Sequence, residues 1–342
     1  MLKAPLTLAV VGVGKLGELH AKLLSELVRE RNDARFVGVF DINSARADEI
    51  ARRFSVQSFS TLDDVARAAR AAFLSTTTSS HYEIAKFLLS KGVHLFIEKP
   101  ITTTVREADE LIALEKNHGV KLQVGHIERF NPALRSIDGL LGTPMFIAAE
   151  RLSGFSKRAT DVSVVLDLMI HDIDLILSLV RSPVTHVAAS GMSVFSNELD
   201  IANARLEFEN GAVATVTASR ISRTKVRKMR LFCADPNSYA SLDLTTGKAE
   251  VFRLVEKPSG RKKSLKEKAT EKVLELFGDI EDALNGKTIE YLSPDSPKVN
   301  ALKLEQDSFL DAVLYDKPIR VSSLDGRRAL DTAVRITTAI QR

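Results

Sequence analysis

The chain has 342 residues, which is enough for two domains, and its composition, 44% hydrophobic and 27% charged, is that of a folded globular protein. A formal net charge of +4 suits an anionic small ligand and does not indicate nucleic acid as a partner. The single cysteine, Cys233, excludes an intramolecular disulfide framework and a multi-cysteine metal site. Since no signal-peptide pattern and no apolar run of about 20 residues occurs, we expect a cytoplasmic protein that does not enter a membrane.

The first predicted elements are a strand, a glycine-rich turn and a helix. The apolar run at residues 6–11 leads into the turn Gly12-Val13-Gly14-Lys15-Leu16-Gly17, and leucines then recur at helical spacing. Gly12 permits a tight turn, Gly14 lets a pyrophosphate approach the backbone, and Gly17 lets helix and strand pack closely. The pattern predicts a dinucleotide site in which the helix N-terminus binds the phosphates.

A second apolar run, residues 36–40, ends at Asp41. A carboxylate at that position accepts hydrogen bonds from the adenosine ribose and repels a 2′-phosphate, so it predicts NAD rather than NADP. Ile42, a further candidate cofactor contact, follows Asp41, and no arginine is adjacent to offset the repulsion. The alternative is that Asp41 caps the next helix, residues 44–54.

Helices and short apolar strands alternate as far as Gly125, which predicts a parallel, doubly wound sheet. The strand at residues 71–74 ends in a segment rich in hydroxyl groups. Its alternative role is to cap the next helix through Ser79 or Ser80. The candidate cofactor contacts in and after this segment are Thr76, Thr77 and His81.

The next strand, residues 93–97, is followed by Glu98-Lys99-Pro100. Proline cannot donate to a sheet and biases Lys99 away from helix. The Lys99 ammonium is therefore expected at the carboxyl end of a strand, where open α/β sheets bind ligands. Glu98 and Lys99 are also candidate cofactor contacts, and the alternative for Lys99 is a surface lysine before a turn.

The most informative helix in the second half spans residues 164–180. It is apolar nearly all round, yet it carries Asp167, His171, Asp174 and Ser178 at spacings that place them on one helical face. Buried polar groups without partners are costly, so this face is expected to line a binding site. The alternative is a structural Asp–His pair.

Beyond this helix, short runs of β-forming residues with turn signals such as Asn210-Gly211 predict a largely antiparallel sheet, and two helices close the chain. We therefore predict an α/β Rossmann domain at residues 1–125 and an α+β domain at residues 126–342. A basic polar stretch at about 256–275 is expected to be a solvated insertion, with a basic lip for an anionic substrate as the alternative.

Three motifs together resemble the Gfo/Idh/MocA (glucose–fructose oxidoreductase/inositol dehydrogenase) family: the glycine-rich turn, Glu98-Lys99-Pro100, and residues 166–174, which are similar to the family's D-x-x-x-H helix. The resemblance implies NAD-dependent oxidation of a sugar secondary hydroxyl to a ketone, and a homodimer or homotetramer formed through the C-terminal sheet. Since the sequence has no His/Cys cluster with zinc spacing, we expect no metal. It also implies a catalytic group of Lys99, Asp167 and His171. Thr76-Thr77-Thr78 departs from the family, where a proline is common, and leaves the nicotinamide contacts open.

A narrower resemblance lies in residues 124–132 together with residues 167–177. It points to the branch of the family that oxidises C3 of UDP-N-acetylglucosamine before a transamination that makes diamino sugars for lipid A. The alternatives are another sugar, sugar acid or inositol as substrate, and a non-catalytic NAD-binding regulatory protein. The candidate substrate contacts are Arg129, Asn131, Arg151, Lys157 and Asp174.

Overall fold

A computed structural model describes residues 4–155, 162–256 and 286–341. The chain forms two compact units, Met1–Phe130 with Val299–Asp331, and Asn131–Lys298 with Thr332–Arg342. This differs from the predicted boundaries, because Val299–Asp331 belongs to the first unit. In the part of the chain that is described, we find no helix with the length and apolarity of a membrane span.

The first unit is built on a six-stranded parallel sheet with the order β3-β2-β1-β4-β5-β6. This is the doubly wound order of a Rossmann fold and confirms the predicted class. The strands are β1 (Leu6–Val11), β2 (Ala34–Phe40), β3 (Gln57–Ser58), β4 (Ala71–Leu74), β5 (His94–Glu98) and β6 (Leu122–Gly125). The helices between them are α1 (Lys15–Glu30), α2 (Ser44–Phe54), α3 (Leu62–Ala68), α4 (Thr78–Ser90) and α5 (Val105–His118), and a 3-10 helix (Ile127–Phe130) follows β6.

An aromatic cluster explains why a late helix belongs to the first unit. Phe73 of β4 and Phe96 of β5 lie 5.2 Å apart between ring centroids, and Phe309 packs 5.5 and 6.0 Å from them. Phe309 is carried by α8 (Ala301–Tyr315), which also contacts α1 and the 3-10 helix. Burying each such side chain contributes about 1.5–3 kcal/mol, so this cluster stabilises the return of the chain.

The second unit contains an eight-stranded sheet with the order β14-β13-β12-β11-β7-β10-β9-β8. The pair β7 and β10 is parallel and its other pairs are antiparallel, as expected for an α+β unit. The strands are β7 (Thr143–Leu152), β8 (Val184–Met192), β9 (Ile201–Phe208), β10 (Val213–Ser219), β11 (Val226–Ala234), β12 (Ser238–Asp243), β13 (Lys248–Glu256) and β14 (Lys287–Leu292). Sequence patterns did not identify β13 or β14, although Lys248 and Glu250 alternate with the buried Ala249 and Val251 at the start of β13.

The polar helix of the second unit has two parts. Val165–Met169 forms a π-helical turn, and α7 (Ile170–Val180) continues from it. The prediction of a helix at residues 164–180 is therefore correct in extent, but its first turn is π-helical rather than α-helical. A π turn changes the angle between successive side chains, so the helical spacing of Asp167 and His171 is not that of an ideal α-helix, and such turns are frequent at functional sites. The other helices in the described part of the chain are α6 (Pro132–Ser136) and α9 (Ser323–Ile340).

Candidate active site

The glycine-rich turn has the shape that a dinucleotide requires. Gly12 has φ +83°, and a Cβ there would lie 2.9 Å from the Thr76 nitrogen; a Cβ at Gly17 would lie 1.8 Å from the Gly12 oxygen. Gly14, by contrast, has nothing within 4 Å of its Cβ position, and it precedes α1 without a side-chain capping bond. The open Gly14 backbone and the uncapped N–H groups of α1 fit a pyrophosphate.

Asp41 lies at the end of β2 and is held by backbone bonds. Its Oδ2 accepts a hydrogen bond from the Val13 N–H at 2.7 Å, and its Oδ1 accepts one from the Asn43 N–H at 2.9 Å. The cap of α2 is Asn43, whose side chain accepts from the Arg46 N–H, so the capping alternative for Asp41 is wrong. Ile42 is 98% exposed beside it. The first-turn residues Lys15 and Leu16 are also exposed.

The hydroxyl-rich segment after β4 is tied to the glycine-rich turn, since Ser75 Oγ donates to the Gly12 carbonyl at 2.9 Å. Helix α4 begins at Thr78 with Thr77 at its cap position, so neither Ser79 nor Ser80 is its N-cap. Thr76 and Thr77 accordingly precede the helix at the carboxyl end of β4, and their contact with the cofactor remains a prediction.

His81 is buried beneath this segment. Its Nδ1 lies 3.0 Å from the Pro100 oxygen and its Nε2 lies 3.2 Å from the Thr76 oxygen. Burial lowers the pKa of His81 from its ordinary value of 6.5, against smaller opposing effects of these carbonyls. His81 therefore joins the segment after β4 to the segment after β5, and a direct contact with the cofactor remains a prediction.

Lys99 follows the last residue of β5, as the sequence predicted. The preceding Glu98 is buried, and its Oε1 lies 2.8 Å from Nε2 of His20, which sequence analysis missed. A Cβ at Gly125, the last residue of β6, would lie 2.8 Å from Glu98 Oε2, so the carboxylate lies against the neighbouring strand. The only sequence signal for His20 was its place three residues after Gly17.

The polar helix of the second unit carries both half-buried and fully buried groups. Asp167 and His171 are half-buried, whereas Asp172 and Asp174 are buried. Asp172, which was not a candidate, accepts two hydrogen bonds from Arg151: Nε to Oδ2 at 2.7 Å and Nη2 to Oδ1 at 2.8 Å. The structure thus assigns Arg151 an ion pair in which both side chains are 2% exposed. A contact of Arg151 or Asp174 with substrate remains a prediction.

The other predicted substrate contacts have structural partners or are not described. Asn131 caps α6 through the Ala133 N–H at 3.0 Å, and its Nδ2 donates to the Leu244 oxygen at 2.9 Å. Arg129 Nη2 lies 3.8 Å from Asp325 Oδ1. Lys157 and the basic stretch beyond Glu256 lie outside the described residues. Among the residues that are described, no group of three or more His, Cys, Asp or Glu side chains could hold a metal ion.

Comparison with known families matches both units. The profile of the GFO_IDH_MocA oxidoreductase family, NAD-binding Rossmann fold, matches residues 6–126. The profile of the GFO/IDH/MocA C-terminal domain matches residues 135–235. The two matches together span well over half of the chain.

Individual relatives differ in how much of the chain they match. UDP-N-acetylglucosamine 3-dehydrogenase from Acidithiobacillus ferrooxidans is 32% identical over 97% of this chain and 96% of its own. A solved structure of that enzyme has a TM-score of 0.83, with 31% identity, over 98% of this chain and 97% of its own. The scyllo-inositol 2-dehydrogenase (NAD(+)) of Bacillus subtilis is 31% identical over 63% of this chain and 67% of its own. The structure of scyllo-inositol dehydrogenase from Lactobacillus casei, which holds NAD(H) and scyllo-inositol, has a TM-score of 0.74 at 19% identity, over 98% of this chain and 97% of its own, and shows the fold alone.

Proposed function

The chain belongs to the Gfo/Idh/MocA family of NAD-binding oxidoreductases, and on that premise we propose that it oxidises the C3 hydroxyl of UDP-N-acetylglucosamine to a ketone. The observation that supports this choice of substrate is the fraction of the chain that each relative matches. The match to a UDP-N-acetylglucosamine 3-dehydrogenase extends over 97% of the chain, whereas the match to an inositol dehydrogenase at similar identity covers 63%. Similarity that includes the second unit is informative because substrate choice depends on the site rather than on the fold.

The turn of Gly12 to Gly17 would hold NAD, and the cofactor would supply the hydride acceptor for the carbon that bears the hydroxyl. We assign the hydroxyl proton to His171, since an imidazole accepts a proton readily near neutral pH. Asp167 orients His171 or the sugar. The Lys99 ammonium stabilises negative charge on the reacting oxygen.

The product is a 3-keto nucleotide sugar, which is a suitable substrate for a transamination. That second reaction makes a diamino sugar, and we propose that the pair of reactions supplies lipid A precursors. We place the reaction in the cytoplasm, because Cys233 is the only cysteine and the chain has no means of forming an intramolecular disulfide.

A substrate panel tests the proposal. The protein is incubated with NAD and UDP-sugars, free sugars and inositols, and NADH absorbance is followed. We expect turnover on UDP-N-acetylglucosamine, and turnover on a free inositol with none on the nucleotide sugar would contradict the assignment.

Lys99→Ala tests the catalytic assignment in the same assay. Loss of one charge-stabilising group lowers kcat on the order of 10²–10³-fold. NAD affinity, measured by titration calorimetry, establishes that the cofactor still binds. The matched control is Lys116→Ala, an exposed lysine near the end of α5, which should leave kcat unchanged. Wild-type turnover in Lys99→Ala would show that Lys99 is not catalytic.

We further propose that the chain forms a homodimer or homotetramer through the sheet of the second unit. One face of that sheet carries a row of five aromatic side chains with consecutive ring centroids 5.7, 5.0, 5.7 and 5.1 Å apart: Phe146, Phe232, Tyr239, Phe252 and Tyr291. Part of the row borders a groove of about 710 Å³. Phe146 and Phe232 are exposed and the other three rings are half-buried, and an apolar row of this kind supports a self-complementary interface.

The oligomer is tested with Phe232→Glu, at a ring that is 42% exposed. A charge in the centre of the interface should convert the protein to a monomer in light scattering after gel filtration. The control is Lys116→Glu, an exposed residue of α5 in the first unit and not part of this sheet, which should leave the mass unchanged. A wild-type protein that is monomeric at micromolar concentration would contradict this part of the proposal.

A further inference from the structure

His20 is an imidazole enclosed by aromatic rings. It lies in α1, is fully buried, and its ring centroid is 5.4 Å from that of Phe96 and 5.8 Å from that of Phe73. Its Nε2 lies 2.8 Å from Glu98 Oε1. In such surroundings the cost of removing a polar ring from water is offset only by hydrogen bonds. The partners of the two ring nitrogens therefore determine which nitrogen donates and which accepts.

Gln306 of α8 determines which ring nitrogen carries the proton. The Gln306 Nε2 lies 2.8 Å from His20 Nδ1 and 3.3 Å from the His20 carbonyl oxygen. A carbonyl oxygen can only accept, so the amide nitrogen, rather than the amide oxygen, faces His20. His20 Nδ1 is then an acceptor, and the ring proton lies on Nε2, which donates to Glu98.

This orientation has a cost for Gln306. Within the described part of the chain, its buried Oε1 has no hydrogen-bond partner. An unsatisfied buried acceptor is destabilising, whereas an apolar side chain of similar size would fill the position without that cost. This cost is set against the two contacts that the Gln306 amide nitrogen makes with His20, and a local cost of this kind is typical of a functional position.

The Glu98 carboxylate contacts both His20 and the backbone of Lys99. Its Oε1 accepts from His20, and its Oε2 accepts from the backbone N–H of Lys99 at 3.3 Å. The position that a Cβ would take at Gly125 is 2.8 Å from the same Oε2, so β6 confines the carboxylate from a second side. The carboxylate is therefore held at both oxygens next to Lys99.

We propose that His20 and Gln306 are positioning residues for Lys99. Gln306 selects the His20 tautomer, His20 holds the Glu98 carboxylate, and Glu98 fixes the backbone from which the Lys99 ammonium extends. The inference rests on the proposed catalytic role of Lys99. Displacing a catalytic group by about 1 Å can lower kcat while substrate binding is unchanged.

Two substitutions of His20 test the proposal with UDP-N-acetylglucosamine and NAD. His20→Leu fills the aromatic enclosure but cannot donate, so kcat should fall on the order of 10–100-fold, with KM for the sugar and Kd for NAD within about twofold. His20→Gln keeps a donor for Glu98 and should recover kcat to within about threefold of wild type. Leu24→Ala, a buried packing residue in the same helix, should lower the melting temperature and leave kcat unchanged. If His20→Leu and His20→Gln lose the same activity, the role of His20 is structural and the inference is overturned.

The double variant Lys99→Ala/His20→Leu separates this inference from the proposed function. If His20 acts through Lys99, His20→Leu lowers the residual rate of Lys99→Ala no further. Equal fold losses in the two backgrounds overturn the positioning role and leave the catalytic role of Lys99 intact. Wild-type turnover in Lys99→Ala contradicts the proposed function itself.

The tautomer provides a readout that needs no substrate. In NMR spectra of the protein with ¹⁵N-labelled histidine, the His20 signals are identified by their absence in His20→Gln. We expect a protonated Nε2 and an unprotonated Nδ1, and we expect the Nδ1 resonance to move in Gln306→Leu, which removes the donor. A proton on Nδ1 in the wild-type protein overturns the inference.

Discussion

The turn at the start of the first unit and the polar helix of the second unit hold their carboxylates by different means. At the turn, Asp41 accepts backbone hydrogen bonds from Val13 and Asn43. In the helix, Asp172 is held by the guanidinium of Arg151, and both side chains are buried. The arrangement at the turn depends on the shape of the backbone. We expect it to tolerate substitution of a turn residue wherever the structure leaves room for a Cβ atom. The second arrangement depends on the two hydrogen bonds between these side chains, and both bonds are lost when either residue is replaced.

The largest expected effect is at the ion pair. Arg151→Met or Asp172→Leu alone removes two charge-assisted hydrogen bonds from the buried charge that remains and should lower the free energy of unfolding by about 3–5 kcal/mol. The double variant removes both charges and should recover most of that loss. Urea denaturation measures both. Single variants that each cost less than about 1 kcal/mol would show that the second unit does not depend on this pair.

The turn offers a matched pair of glycines. Gly17→Ala places a Cβ against the Gly12 carbonyl oxygen, so overpacking should lower stability by about 1–3 kcal/mol. Gly14→Ala meets nothing within 4 Å, so its stability should stay within about 0.5 kcal/mol of wild type. The methyl group added by Gly14→Ala would occupy the predicted approach of the pyrophosphate, so we expect NAD affinity to fall about tenfold. Titration calorimetry measures the effect on NAD affinity, and thermal melting measures the effect on stability. If Gly14→Ala binds NAD as tightly as wild type, the phosphates do not bind at Gly14.

The smallest expected effect concerns pH and His81. Burial lowers the pKa of His81 in the folded protein, so the unfolded chain binds a proton more readily. The stability that depends on neutral His81 is present above pH 6.5 and is lost as the pH falls from 6.5 through the lowered folded value. The melting temperature of wild type should fall between pH 7 and pH 5. In His81→Asn, whose side chain does not titrate, this fall should be smaller by about 2 °C. An unchanged pH profile would contradict the burial of a neutral imidazole.

The sequence predicted much of the candidate cofactor site because that site depends on local geometry. A glycine-rich turn after a strand, and a lysine before proline after another, can be recognised from neighbouring residues alone. The predicted helix at residues 164–180 was correct in extent, but its π turn was not foreseen, because hydrophobic periodicity does not distinguish hydrogen-bond patterns within a helix.

By itself, the sequence determined the Rossmann class, the position of Lys99 after its strand and the polar character of the second unit's helix. Tertiary structure alone decided the partners of the buried charges and the return of Val299–Asp331 to the first unit. Gln306 reaches His20 across 286 positions, and Arg151 reaches Asp172 across 21. Such contacts follow no local period, since they form only when packed elements bring distant side chains together. Lys99 can therefore be identified from its neighbours, whereas the residues that hold Glu98 beside it become visible only in the folded unit.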